Sequence, residues 1–150
     1  PCRRDSNHGV SEEAGAIQFC LIREPCVLAN VGVVFEQLAA YFSDETGVEL
    51  AFEEDPFDTS EKNVILQWDG WWARFFYESG DLVLSDSREI AAIGGANAPE
   101  MIESVDRRLR VLLADDDSKR YTNLAVFVVE FLESVPGLLI FDAQAGDFVN

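Results

Sequence analysis

The chain has 150 residues, 48% of them hydrophobic, and 28 acidic against 11 basic residues give it a net charge of −17. That length and apolar fraction fit one folded domain with its own core and exclude a disordered acidic tail. A negative field of this size repels nucleic-acid phosphates and anionic membranes and attracts basic proteins or cations, though solubility alone also accounts for it.

Residues 1–15 are polar and read as a tail or processed end, leaving residues 16–150 as a single domain. Residues 16–24 (AIQFCLIRE) are apolar and short and read as a strand that Pro25 closes, because proline lacks the ladder donor. The pattern then switches to helical period, with Val31, Val34, Phe35, Leu38, Ala39 and Phe42 recurring at three and four and Gly47 as a stop. Residues 48–55 alternate Val48, Leu50 and Phe52 against Glu49, Ala51 and Glu53, as a half-buried strand does. The segment DPFDTSEK reads as a polar loop.

The stretch QWDGWWARFFYESGDLVLSD follows and holds all three tryptophans. Asp69-Gly70 is a two-residue hairpin signal, since both central positions of a type I′ turn need positive φ. That turn pairs Trp68 with Trp71, Leu66 with Ala73 and Val64 with Phe75. A second turn at Ser79-Gly80 would pair Tyr77 with Leu82 and Phe75 with Leu84. One face of the resulting meander is apolar throughout and is the core face. The other carries Ile65, Gln67, Trp72, Arg74, Phe76, Val83 and Ser85. Either a helix, a terminus or a second subunit covers Trp72 and Phe76, or they form an aromatic–arginine binding patch.

Residues 86–95 read as a short helix capped by Asp86 or Ser87 and ended by Gly94-Gly95. From Pro99, Ile102, Val105, Leu109 and Leu112 or Leu113 form a helical stripe, although RLRVLLAD also alternates as a strand would. Leu124, Phe127, Val128, Phe131 and Leu132 mark a further helix that Pro136-Gly137 stops. An apolar strand, a turn at residues 143–146 and a short tail end the chain. The predicted class is α+β: a mostly antiparallel sheet of about four to five strands with helices packed on one face.

Chemistry-bearing constellations are sparse. Triad-type catalysis needs an imidazole, and His8, in the polar tail, is the only one. Cys2, Cys20 and Cys26 are odd in number and lack zinc spacing, which fits incidental thiols in a reduced, cytoplasmic protein. No phosphate-binding glycine loop, secretory signal or membrane-length apolar run is present. Asp115, Asp116 and Asp117 lack the alternate spacing of a calcium loop and read as a helix-to-helix connection in which one aspartate caps the next helix. Glu53, Glu54, Asp55 and Asp58 read as a solvated acidic loop. Asp142 and Asp147 serve the geometry of the final turn. Arg107, Arg108 and Arg110 are expected to pair with Glu103, Asp106 and aspartates on neighbouring turns.

Three strings, DGWWARFFYESGDLVLSDSREIA, DRRLRVLLADDD and GLLIFDAQAGDFVN, together with the acidity, resemble the small immunity-type and uncharacterised gene-cassette proteins of bacteria over about the last two-thirds of the chain. The resemblance implies a protein that binds a cognate toxin, often basic, and blocks its active site; it carries no site residues over. The expectation is a non-enzymatic binding module without a cofactor. Acidic loops at residues 53–58 and 115–117 would dock a basic protein, with Trp72, Arg74 and Phe76 as anchors and homodimerisation through the Trp72/Phe76 face compatible with it. Two alternatives stay open: an apolar pocket for a small ligand lined by Trp68, Trp71 and Phe75, and a carboxylate enzyme using a divalent metal.

Overall fold

The computed structural model describes residues 14–55 and 58–149. Among these described residues, seven strands form one antiparallel sheet: β1 (Ala14–Ile22), β2 (Val48–Asp55), β3 (Asp58–Trp68), β4 (Trp71–Ser79), β5 (Arg107–Ala114), β6 (Leu138–Asp142) and β7 (Asp147–Phe148). Their spatial order is β2-β3-β4-β5-β1-β6-β7. Three helices accompany them: α1 (Val31–Tyr41), α2 (Asp81–Gly94) and α3 (Thr122–Ser134). The α+β class and the antiparallel sheet hold, and the count of four to five strands is an underestimate.

The β3–β4 hairpin forms as its sequence dictates. Asp69 and Gly70 take φ of 54° and 86°, and Trp68 faces Trp71, Leu66 faces Ala73 and Val64 faces Phe75. These side chains are buried beneath α1 and α3 with Val34, Leu38, Phe42, Val128, Phe131 and Leu132. Trp68 stacks on Phe127 at 5.8 Å between centroids and meets Phe42 edge-on. Asn30 starts α1 by accepting the Val33 amide on its side chain.

Four local expectations are corrected. The segment read as the loop DPFDTSEK is mostly strand: β2 runs on to Asp55 and β3 begins at Asp58. The second turn at Ser79-Gly80 does not form a hairpin. Gly80, at φ 114°, instead leads from β4 into α2, where Val83, Ser87 and Ile90 make the buried stripe and Leu82 is 72% exposed. The helix expected at residues 86–95 therefore starts five residues earlier, and Asp86 lies inside it. Residues 99–114 hold no α-helix: Ile102–Ser104 is a short 3-10 turn and the arginine-rich segment is β5, between β4 and β1. A central strand buried on both faces is near-continuously apolar, so its period is ambiguous.

The helices also occupy both faces. Leu21, Leu139 and Phe141 alternate with the α1/α3-facing Cys20 and Ile140, and pack with Ile90 of α2, Ile102 and Val105 on the opposite side. Cover on this second face therefore concentrates over β1 and β6.

Candidate protein-binding face

The rest of the second face is built by alternation on four strands. Register places Glu49, Ala51 and Glu53 of β2, Asn63, Ile65 and Gln67 of β3, Trp72, Arg74, Phe76 and Glu78 of β4, and Arg108, Arg110 and Leu112 of β5 on it. Arginines roof its aromatic rings. The Arg74 guanidinium lies 4.3 Å from the Trp72 ring centroid, Arg110 lies 4.4 Å from Phe76, and Arg108 lies 4.7 Å from Phe19.

Each of these cations also meets a carboxylate. Arg74 donates from Nε and Nη2 to the two oxygens of Glu53, at 2.9 and 3.3 Å. Glu78 accepts from Arg108 at 2.8 Å and from Arg110 at 2.9 Å, and Arg108 reaches Asp86 of α2 at 2.9 Å. Asn63 donates to Glu53 at 2.8 Å. Burial pushes the Glu53 carboxyl up, but hydrogen bonds from Arg74 and Asn63 and the Arg74 charge outweigh it and hold it below the ordinary value.

The ladder of Arg74, Arg110 and Arg108 with Glu53, Glu78 and Asp86 is neutral in sum. It buries Trp72 to 5% exposure, so side chains of the same sheet face supply cover that the sequence reading sought in a helix, a terminus or a second subunit. The arginine pairing expected with Glu103 and Asp106 is replaced by these cross-strand pairs. Arg107, on the other face, bonds Glu24 and the Tyr77 hydroxyl. A strand puts successive residues on opposite faces, so Arg108 and Arg110 share one side and Arg107 takes the other.

Acid gathers beside the ladder. A recess of about 460 Å³ opens at the β3–β4 turn, lined by Glu49, Glu53, Gln67, Asp69, Trp72 and Arg74 among others. Glu49 and Asp69 are exposed at its rim. Neither stood among the sequence candidates, although the alternation that set Glu53 outward sets Glu49 beside it. Residues 115–117 lie at this same end, because the Trp71 indole N–H donates to the Ala114 carbonyl at 3.2 Å. Asp116 is engaged in starting α3, accepting from the Tyr121 amide and the Thr122 hydroxyl, while Asp117 is exposed.

Glu54 is exposed at the far end of β2; the side chains of Asp55 and Asp58 lie outside the described residues, as does His8. Glu54, on β2, and residues 115–117, which follow β5, thus stand at opposite ends of the sheet, with β3 and β4 between those two strands. Trp71 and Phe75, proposed to line a ligand pocket, fill the interface with the helices and are fully buried. Asp142 shapes the final turn as expected, accepting from the Gln144 and Ala145 amides. Burial pushes the Cys20 thiol far above its usual range, away from nucleophilic use.

Among the described residues no group of three or more His, Cys, Asp or Glu side chains is arranged to hold a metal ion, and no helix is long and apolar enough to cross a membrane. No family model, curated protein or solved structure matches the chain.

Proposed function

We propose that the chain is a non-enzymatic acidic module that docks on a basic protein, as the immunity-type proteins it resembles do. One observation carries this reading. The second face uses its own arginines to cover its own rings, and the acid left outward collects at a recess with an aromatic wall. Such a recess suits the charged head of a lysine or arginine side chain, with Glu49 and Asp69 supplying carboxylates at the rim. The net charge of −17 steers a basic partner from a distance, and the recess sets its register.

The test is affinity capture from the lysate of the source cells with three baits of controlled charge. Wild type is compared with Glu49→Gln/Asp69→Asn and with Glu100→Gln/Glu103→Gln, whose exposed acids lie near α2 on the covered side. Both doubles lose two negative charges. A basic protein retained by wild type and the second double, but lost by the first, supports the reading. Equal retention by all three reduces the interaction to net charge and removes the recess.

A further inference from the structure

The strand that borders this recess is also the end of the sheet. β2 is the terminal strand, pairing with β3 alone among the described residues. The hairpin geometry fixes which of its backbone groups point outward. A two-residue turn closes on a hydrogen-bonded pair, so Trp68, Leu66 and Val64 direct their N–H and C=O toward β4. Their neighbours Gln67, Ile65 and Asn63 therefore bond β2, opposite Glu49, Ala51 and Glu53. Val48, Leu50, Phe52 and Glu54 are left with N–H and C=O directed away from the sheet. An edge of this length is a template for another strand.

Side chains along this edge specify what would pair there. On the ladder face stand Glu49, Ala51 and Glu53. On the helix face stand Leu50 and Phe52; the Phe52 ring is 44% exposed and stacks on Phe35 of α1 at 4.6 Å. A strand added to β2 would set alternate side chains beside the glutamates and the others beside Leu50 and Phe52. A second copy of this chain would bring Glu49, Glu53 and Glu54 against their own equivalents and is disfavoured by like charge.

We propose that β2 receives an extended segment of a basic partner protein by β-strand addition, in a pattern of alternating basic and apolar residues. The basic side chains lie on the ladder face, beside Glu49 and the Glu53–Arg74 pair, and the apolar ones cover Leu50 and Phe52. This rests on the protein-docking reading above and specifies the form of the docking segment. Eight extended residues along β2 run from the recess to Glu54, which sets the length of the docking segment.

The probe is an octapeptide of alternating lysine and valine, followed by fluorescence anisotropy and compared with a peptide of the same composition in paired blocks. The alternating peptide should bind about tenfold more tightly. Methylating alternate backbone nitrogens of the peptide should abolish binding in one register and leave it within about twofold in the other, because only one set of N–H groups faces β2. Binding should also slow amide exchange at Leu50, Phe52 and Glu54. On the protein side, Leu50→Pro should weaken binding and Leu50→Ala much less, the difference being the lost donor. Equal binding of both peptides, or indifference to both methylation registers, overturns the strand-addition proposal. It would leave the docking reading standing if Glu49→Gln/Asp69→Asn still releases the captured partner. A homodimer that Leu50→Pro dissociates would overturn it as well, by giving the edge to a second copy.

Discussion

Arg108 is 4% exposed, held between Glu78, Asp86 and the Phe19 ring. Removing it takes the arginine partner from Asp86, leaves Glu78 with Arg110 alone and uncovers an aromatic ring. Arg108→Ala should therefore cost about 2–4 kcal/mol in denaturant unfolding. Arg74→Ala, in a more hydrated pair, should cost about 1 kcal/mol. Similar costs for the two would show that the ladder does not tighten toward α2. Glu53 adds a pH dependence. Its folded pKa is depressed, so its contribution is fully present above the unfolded carboxylate value near ~4.3 and disappears as pH falls through the lower folded value. Glu53→Gln should flatten the acid limb of the stability curve below about pH 4.3 and remove about 1 kcal/mol or less at pH 7. An acid limb identical to wild type would show that the carboxyl is not depressed.

At the scale of elements, local signals were readable and distant pairings were not. The Asp69-Gly70 turn and the cross-strand register of residues 64–75 followed from turn chemistry and alternation, and the structure has both. So did α1 and α3, whose apolar stripes repeat at helical spacing. What failed is the continuation past Ser79. Leu82, Val83 and Leu84 alternate no better than they spiral, and the strand that pairs with β4 is β5, which begins nearly 30 residues later. No short-range rule reveals such a partner. The ladder was hidden for the same reason: Glu53, Arg74, Glu78, Asp86 and Arg108 converge only after β2–β5 and α2 have assembled. Of the candidate site, Trp72, Arg74 and Phe76 were placed on one face correctly, because the period of a strand suffices for that, whereas Glu53, read as part of an acidic loop, joins them only through the pairing of β2 with β3. Leu82→Lys separates the two arrangements. On the exposed side of α2 it should change stability by less than about 0.5 kcal/mol, whereas a core position in a meander would cost several.

For the whole molecule, acidity and architecture act together. Four arginines, at positions 74, 107, 108 and 110, are tied to carboxylates of the fold, so the cations it uses for packing do little to offset the field seen from outside. On the docking proposal, a basic partner would meet an acid-rimmed sheet corner first and the neutral ladder only on contact. Steering of this kind acts on association and is screened over about 8 Å at physiological ionic strength. The most direct measurement is the association rate of the captured basic partner with wild type and with Glu49→Gln/Asp69→Asn, across a series of salt concentrations. The docking account predicts a wild-type rate that falls about tenfold or more between low and high salt, and a recess double that is slower at low salt and less salt-sensitive than Glu100→Gln/Glu103→Gln. Rates indifferent to salt, or equal for the two doubles, would contradict it.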